Sequence, residues 1–123
     1  MAKAIRVFEF RLNPDVKVED FERFVTEELK KAPLSPGVRI RFLKCDRDSQ
    51  GDLIGTYANE LEFDIVETRD RLFPTVSETS EEFNQWWSEH GTIWTKFHSM
   101  VEGRYIDYIQ YEDWEGIATQ SVK

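Results

Sequence analysis

The sequence predicts an α+β fold built on one antiparallel four-stranded sheet with its helices on a single face. Three observations carry this expectation. Four short runs alternate apolar and polar residues, two longer stretches carry apolar stripes near a 3.6-residue period, and turns rich in Gly, Pro, Asn and Asp separate them. With 123 residues, 40% hydrophobic and 14% aromatic, the chain has enough large apolar surface to bury one core without disulfides or metal. Residues 1–112 read as one domain and residues 113–123 as a C-terminal tail.

Residues 4–12 mix β-branched and aromatic side chains with charges and stop at Asn13-Pro14-Asp15, which makes a first strand. From Val16 the period changes. Val18, Phe21, Val25, Leu29 and Ala32 recur every three or four residues, as in an amphipathic helix of about four turns. Acidic residues fill its start, Lys30 and Lys31 its end, and Pro33 and Pro36 prevent continuation. Residues 38–45 alternate again as a second strand, and the polar stretch around Gly51 turns the chain into a third strand within residues 54–63. Asp64 can cap a short helical segment over residues 65–73, which Pro74 ends. Thr79 and Glu82 have the spacing of a capping box and open the longest helical pattern. There Phe83, Trp87, His90, Trp94, Phe97 and Val101 fall near one line, with Gly91 as a candidate break. Gly103 precedes a fourth strand ending at Tyr111. Strand, helix, strand, strand, helix, strand is the ferredoxin-like split βαββαβ pattern, with both helices expected on one side of the sheet.

Strand parity then assigns the faces. Phe8, Phe10, Leu12, Val38, Ile40, Phe42, Leu61 and Phe63 form the face beneath the helices. Val7, Glu9, Arg11, Arg39, Arg41, Leu43, Glu60 and Glu62 form the other, where cross-strand Arg–Glu pairs are expected. Such a face meets either water or the same face of a second subunit.

Sixteen Lys plus Arg against twenty-four Asp plus Glu give a formal net charge of −8, which repels phosphate backbones and anionic lipid. Neither nucleic acid nor membrane is an expected partner. Apolar runs are too short for a membrane span or a signal peptide, so a soluble, cytoplasmic protein is expected. The lone Cys45 forms no internal disulfide, in keeping with a reducing compartment.

His90 lies between Trp87 and Trp94 in an otherwise apolar stripe, where an imidazole lining a cleft would transfer protons; otherwise it is a helix-end histidine beside Gly91. His98 lies at the edge of the same stripe. With Glu102 it offers two metal ligands, which are too few, and no His-Glu-x-x-His, paired-Cys or Gly-rich phosphate motif occurs. No metal and no cofactor are expected. Trp86, Trp87 and Trp94 are either core or the walls of an aromatic pocket, with Tyr57, Tyr105 or Tyr108 as its polar handle. Asn59, the polar member of an apolar strand face, would orient a ligand through its amide, and Asp107, if buried, would serve as a base.

The element order, the first strand Val7-Phe8-Glu9-Phe10, the helix opening Val18-Glu19-Asp20-Phe21 and the Trp-rich second helix together resemble the dimeric α+β barrel superfamily. That superfamily includes antibiotic-biosynthesis-type monooxygenases, EthD-like proteins and stress-responsive barrel proteins. The resemblance is architectural and covers nearly the whole chain. It implies a homodimer whose two sheets form a barrel, with a ligand cleft in each subunit between helices and sheet. Haem-degrading members use an Asn on the first strand and a Trp followed about ten residues later by an axial His; here the first strand offers Glu9, and Trp86 and Trp87 reach His98 only at a stretched spacing. The expected function is binding of a small apolar or aromatic molecule between the second helix and the sheet, with cofactor-independent monooxygenase-like or isomerase-like chemistry. In that scheme His90 or His98 moves protons, Trp87, Trp94 and Tyr57 shape the cavity, and Asn59 and Asp107 contact the ligand. The alternative is a non-catalytic homo-oligomer of stress-responsive type, with the Trp stripe as core and no ligand site.

Overall fold

Alternation along β1 (Lys3–Leu12) sorts its side chains cleanly: Ala4, Arg6, Phe8 and Phe10 are buried and the residues between them are partly exposed. The computed structural model describes residues 3–111, so the expected tail 113–123 lies outside the described residues. β1 pairs antiparallel with β3 (Thr56–Phe63) on one side and with β4 (Val101–Gln110) on the other. β2 (Val38–Lys44) pairs antiparallel with β3, which gives an open sheet in the order β2-β3-β1-β4. Register places Phe8 between Asn59 on β3 and Tyr105 on β4, and Arg6 between Leu61 and Asp107. Of these rows Asn59, Tyr105, Arg6 and Leu61 line the site described below.

Both helical regions are more broken than a simple βαββαβ alternation. The first begins as α1 (Val18–Arg23), widens into a π turn over Phe24–Glu28 and tightens into a 3-10 turn over Leu29–Lys31. At the π turn the Thr26 hydroxyl donates to the Glu22 carbonyl at 2.8 Å, a back-bond that perturbs the regular ladder. The wider turn brings Phe24 into the core beside Phe21 and Leu29, whereas Val18, at the first helical position, stays exposed. Between β3 and β4 the chain forms three helices, α2 (Val66–Leu72), α3 (Glu81–His90) and α4 (Thr92–Ser99). Asp64 orders the start of α2 by accepting from the Ile65 N–H at 2.8 Å and from the Thr68 hydroxyl. Ser80 rather than Thr79 caps α3, its Oγ accepting from the Phe83 N–H at 3.2 Å, while the Thr79 hydroxyl donates to Asn84. Val101 opens β4 instead of closing the last helix.

The helices cover the face that parity assigned to them. Phe10 sits at the centre, stacked on Tyr57 at 5.4 Å and meeting Phe97 and Phe21 edge-on at 5.2 and 5.8 Å. Gly103 faces it across the β1–β4 ladder, where a Cβ would come within 2.6 Å of the Phe10 Cβ. Only glycine fits there. No described helix covers the opposite face, and its charges pair across strands as expected: Arg39 with Glu62 at 3.0 Å, Arg41 with Glu60 at 2.6 Å and Arg104 with Glu9 at 3.7 Å. Among the described residues no helix is long and apolar enough to cross a membrane.

Candidate functional site

α3 and α4 meet at Gly91, whose N–H donates to the Trp87 carbonyl at 2.7 Å. A Cβ there would lie 2.6 Å from the Trp87 indole. Glycine therefore lets the indole fold against the junction and form part of a cavity of about 560 Å³ between the helices and the sheet. That volume lies within the range of small-molecule sites. Trp86, Trp87 and Trp94 wall the cavity on the helix side, Ile40 and Leu61 floor it on the sheet side, and residues 76–79 edge its mouth. The Trp94 indole N–H donates to the Pro33 carbonyl at 3.2 Å, which fixes that wall against the loop before β2.

Among the polar side chains of the lining, Asn59, Arg6, His98 and Tyr105 are placed to matter most. Asn59 is 4% exposed, and its Nδ2 has no hydrogen-bond partner. A half-turn of its amide exchanges nitrogen and oxygen, so this unmet donor can be presented to the cavity. Arg6, also 4% exposed, is held by Asp107 through Nε at 2.8 Å and Nη2 at 3.1 Å, and Nη2 also donates to the Thr75 carbonyl at 3.2 Å. The Arg6 guanidinium lies 4.2 Å from the centre of the Phe73 ring, a cation–π contact. Its charge is thus compensated inside the site, and the residue ties the mouth loop to the sheet.

His98 and Tyr105 form a pair. His98 Nδ1 lies 2.8 Å from the Trp94 carbonyl, and Nε2 lies 2.6 Å from the Tyr105 hydroxyl. A carbonyl only accepts, so Nδ1 carries the proton, and in the neutral ring Nε2 accepts from the Tyr105 O–H. Phe8 stacks on Tyr105 at 4.6 Å and holds the phenol ring in place. Burial raises the pKa of that phenol above the ordinary tyrosine value.

The structure brings Trp87, Trp94, Asn59 and His98 together around this cavity. It places three other expected residues elsewhere. Tyr57 is in the core, its hydroxyl donating to Glu22 at 3.3 Å, and burial raises its pKa. Asp107 is engaged with Arg6. His90 stands exposed at the end of α3, its Nε2 3.7 Å from a Glu89 carboxylate oxygen, outside the cavity lining. Among the described residues no group of three or more His, Cys, Asp or Glu could hold a metal ion. Comparison with protein-family models, with curated proteins and with solved structures finds no match for this chain.

Arg6 is the member that sequence reasoning passed over. It shares strand parity with Phe8 and Phe10, so an inward-pointing cation was legible, and Asp107 among inward positions of the fourth strand was its available partner.

Proposed function

We propose that the cavity binds a small, flat, largely apolar molecule carrying a hydrogen-bond acceptor, and that the Tyr105–His98 pair supplies proton transfer to it. The observation that carries this reading is Asn59. A buried N–H without a partner costs about 1–3 kcal/mol, and an acceptor delivered by a ligand offsets that cost. Aromatic walls suit a planar molecule, and the phenol–imidazole pair suits an isomerase-like conversion or the substrate deprotonation that begins a cofactor-independent monooxygenation. The same reading takes the sheet order as the ferredoxin-like plan and the open face as the contact of a homodimeric α+β barrel. Ile5, Val7, Ile106 and Tyr108 lie in register on that face, and Arg39 with Glu62, Arg41 with Glu60 and Arg104 with Glu9 are already paired within the chain, which lowers the cost of covering them with a second copy.

Calorimetric titration with 2-acetylnaphthalene tests the cavity. Binding to the wild type is expected, with loss of binding in Thr95→Trp, which places an indole beside the cavity. Failure of the folded wild type to bind any neutral two-ring probe would overturn the ligand reading and favour a non-catalytic assembly protein. Sedimentation velocity tests the dimer: the expected mass is that of two subunits, reduced to one by Val7→Asp. A monomeric wild type removes the barrel.

A further inference from the structure

Resting on the reading of this cavity as a ligand site, we infer that its ligand belongs to the hydroxylated carbonyl compounds. A carbonyl oxygen meets Asn59 and a phenolic or enolic hydroxyl meets Tyr105, which takes that proton while passing its own to His98. The Trp94 carbonyl fixes the proton on Nδ1 of His98, so Nε2 draws the Tyr105 proton toward itself at 2.6 Å. The Tyr105 oxygen then has only lone pairs to offer the cavity. A ligand group facing it must donate, and an ether or carbonyl at that point meets a second acceptor.

At the other end of the row the requirement is reversed. Asn59 has an N–H without a partner, and with its amide turned to present that N–H to the cavity the ligand group there accepts. Asn59 and Tyr105 flank Phe8 from opposite sides, two strand spacings or roughly 10 Å apart at Cα. Acceptor and donor therefore sit at opposite ends of a molecule of one or two rings that spans the cavity from β3 to β4.

The proton step balances without redox chemistry. The ligand O–H bond breaks and a new O–H forms on Tyr105, as the original Tyr105 O–H breaks and an N–H forms on His98 Nε2. The products are a ligand oxyanion and an imidazolium whose Nδ1–H still donates to the Trp94 carbonyl. Because burial keeps the phenol neutral beforehand, Tyr105 enters as the proton carrier and not as a phenolate.

Three probes on one skeleton test the polarity: 6-acetyl-2-naphthol, its methyl ether and 2-acetylnaphthalene, titrated calorimetrically at neutral pH. The wild type is expected to bind the naphthol roughly tenfold more tightly than the ether, the scale of one hydrogen bond. Tyr105→Phe is expected to bring that ratio to within about twofold while leaving 2-acetylnaphthalene unchanged. His98→Leu frees the Tyr105 proton to point into the cavity, so the ether should gain on the naphthol; a merely structural role for His98 would weaken all three probes alike. Equal binding of naphthol and ether by the wild type, with 2-acetylnaphthalene still bound, overturns this inference and leaves the cavity reading standing. Absence of binding by all three overturns both.

Discussion

Replacing Asn59 with Leu should make the unliganded protein more stable. Asn59 is 4% exposed with an unpartnered Nδ2, and removing such a donor recovers about 1–3 kcal/mol. Leucine is the larger side chain, and in a filled core the added volume would cost about 1–3 kcal/mol through strain. Here a cavity of about 560 Å³ adjoins the position and takes the extra methyl groups, so most of that penalty disappears. The expected net gain is about 1–3 kcal/mol, or roughly 4–12 °C in Tm for a domain of this length. Urea unfolding followed by Trp fluorescence would show a higher midpoint at an unchanged slope. Thr56→Val is the companion measurement, since the Thr56 hydroxyl is also buried without a partner but lies outside the cavity. It should stabilise by about 1 kcal/mol and leave probe binding alone, whereas Asn59→Leu should abolish the preference for 2-acetylnaphthalene over naphthalene. A loss of 1 kcal/mol or more in Asn59→Leu would refute the reasoning, because it would mean that the amide is satisfied where it stands.

Asp107→Asn leaves the buried Arg6 guanidinium without its carboxylate and should cost about 3–5 kcal/mol, while the Arg6→Met, Asp107→Leu double variant should recover most of that in urea melts. A double variant as unstable as the single one would show that the two residues are not coupled. Gly91→Ala drives a methyl into the Trp87 indole, so it should lower the affinity for 2-acetylnaphthalene by displacing that wall; unchanged affinity would count against the role given to Gly91. Glu62 is held below the ordinary carboxylate range by a hydrogen bond from Lys3, Glu22 by one from Lys44, Asp64 by the Thr68 hydroxyl and Asp48 by the Leu53 N–H. Depressed carboxylates contribute stability that is present above their unfolded pKa values and lost as pH falls through the folded ones. The urea midpoint should therefore drop below about pH 4, less steeply in Glu62→Gln, and a midpoint that rises on acidification would contradict these pairings.

The faces of the sheet were legible because a period of two leaves no intermediate state: once Phe8 and Phe10 point inward, Val7 and Glu9 cannot. Positions across the helical region were less so. Treating residues 83–101 as one stripe places His90 beside Trp87 and Trp94, but Gly91 ends α3 and restarts the phase in α4, so Trp94, Phe97 and His98 turn toward the sheet while His90 is left at a helix end. The His98–Tyr105 contact spans only seven residues of sequence, yet it needs the chain to leave α4 and enter β4 in the observed register, which no local pattern encodes. Arg6 and Asp107 are separated by a hundred residues and meet only because β4 returns to the free side of β1.

The row Asn59, Phe8, Tyr105 is the part of the molecule that folding alone explains least. Leucine at 59 would remove an unmet donor, and phenylalanine at 105 would keep the stack on Phe8. Both exchanges satisfy strand propensity and the apolar pattern of that face. Retaining an unmet amide donor at one end of an apolar row therefore lowers the stability available to the fold, a cost that the proposed ligand would offset. The opposite face gives the contrast: Arg39 with Glu62 and Arg41 with Glu60 find one another across the strands, and the buried, unpartnered Thr56 hydroxyl on that face lies away from the cavity, whereas the unmet donor of Asn59 belongs to a residue that lines it.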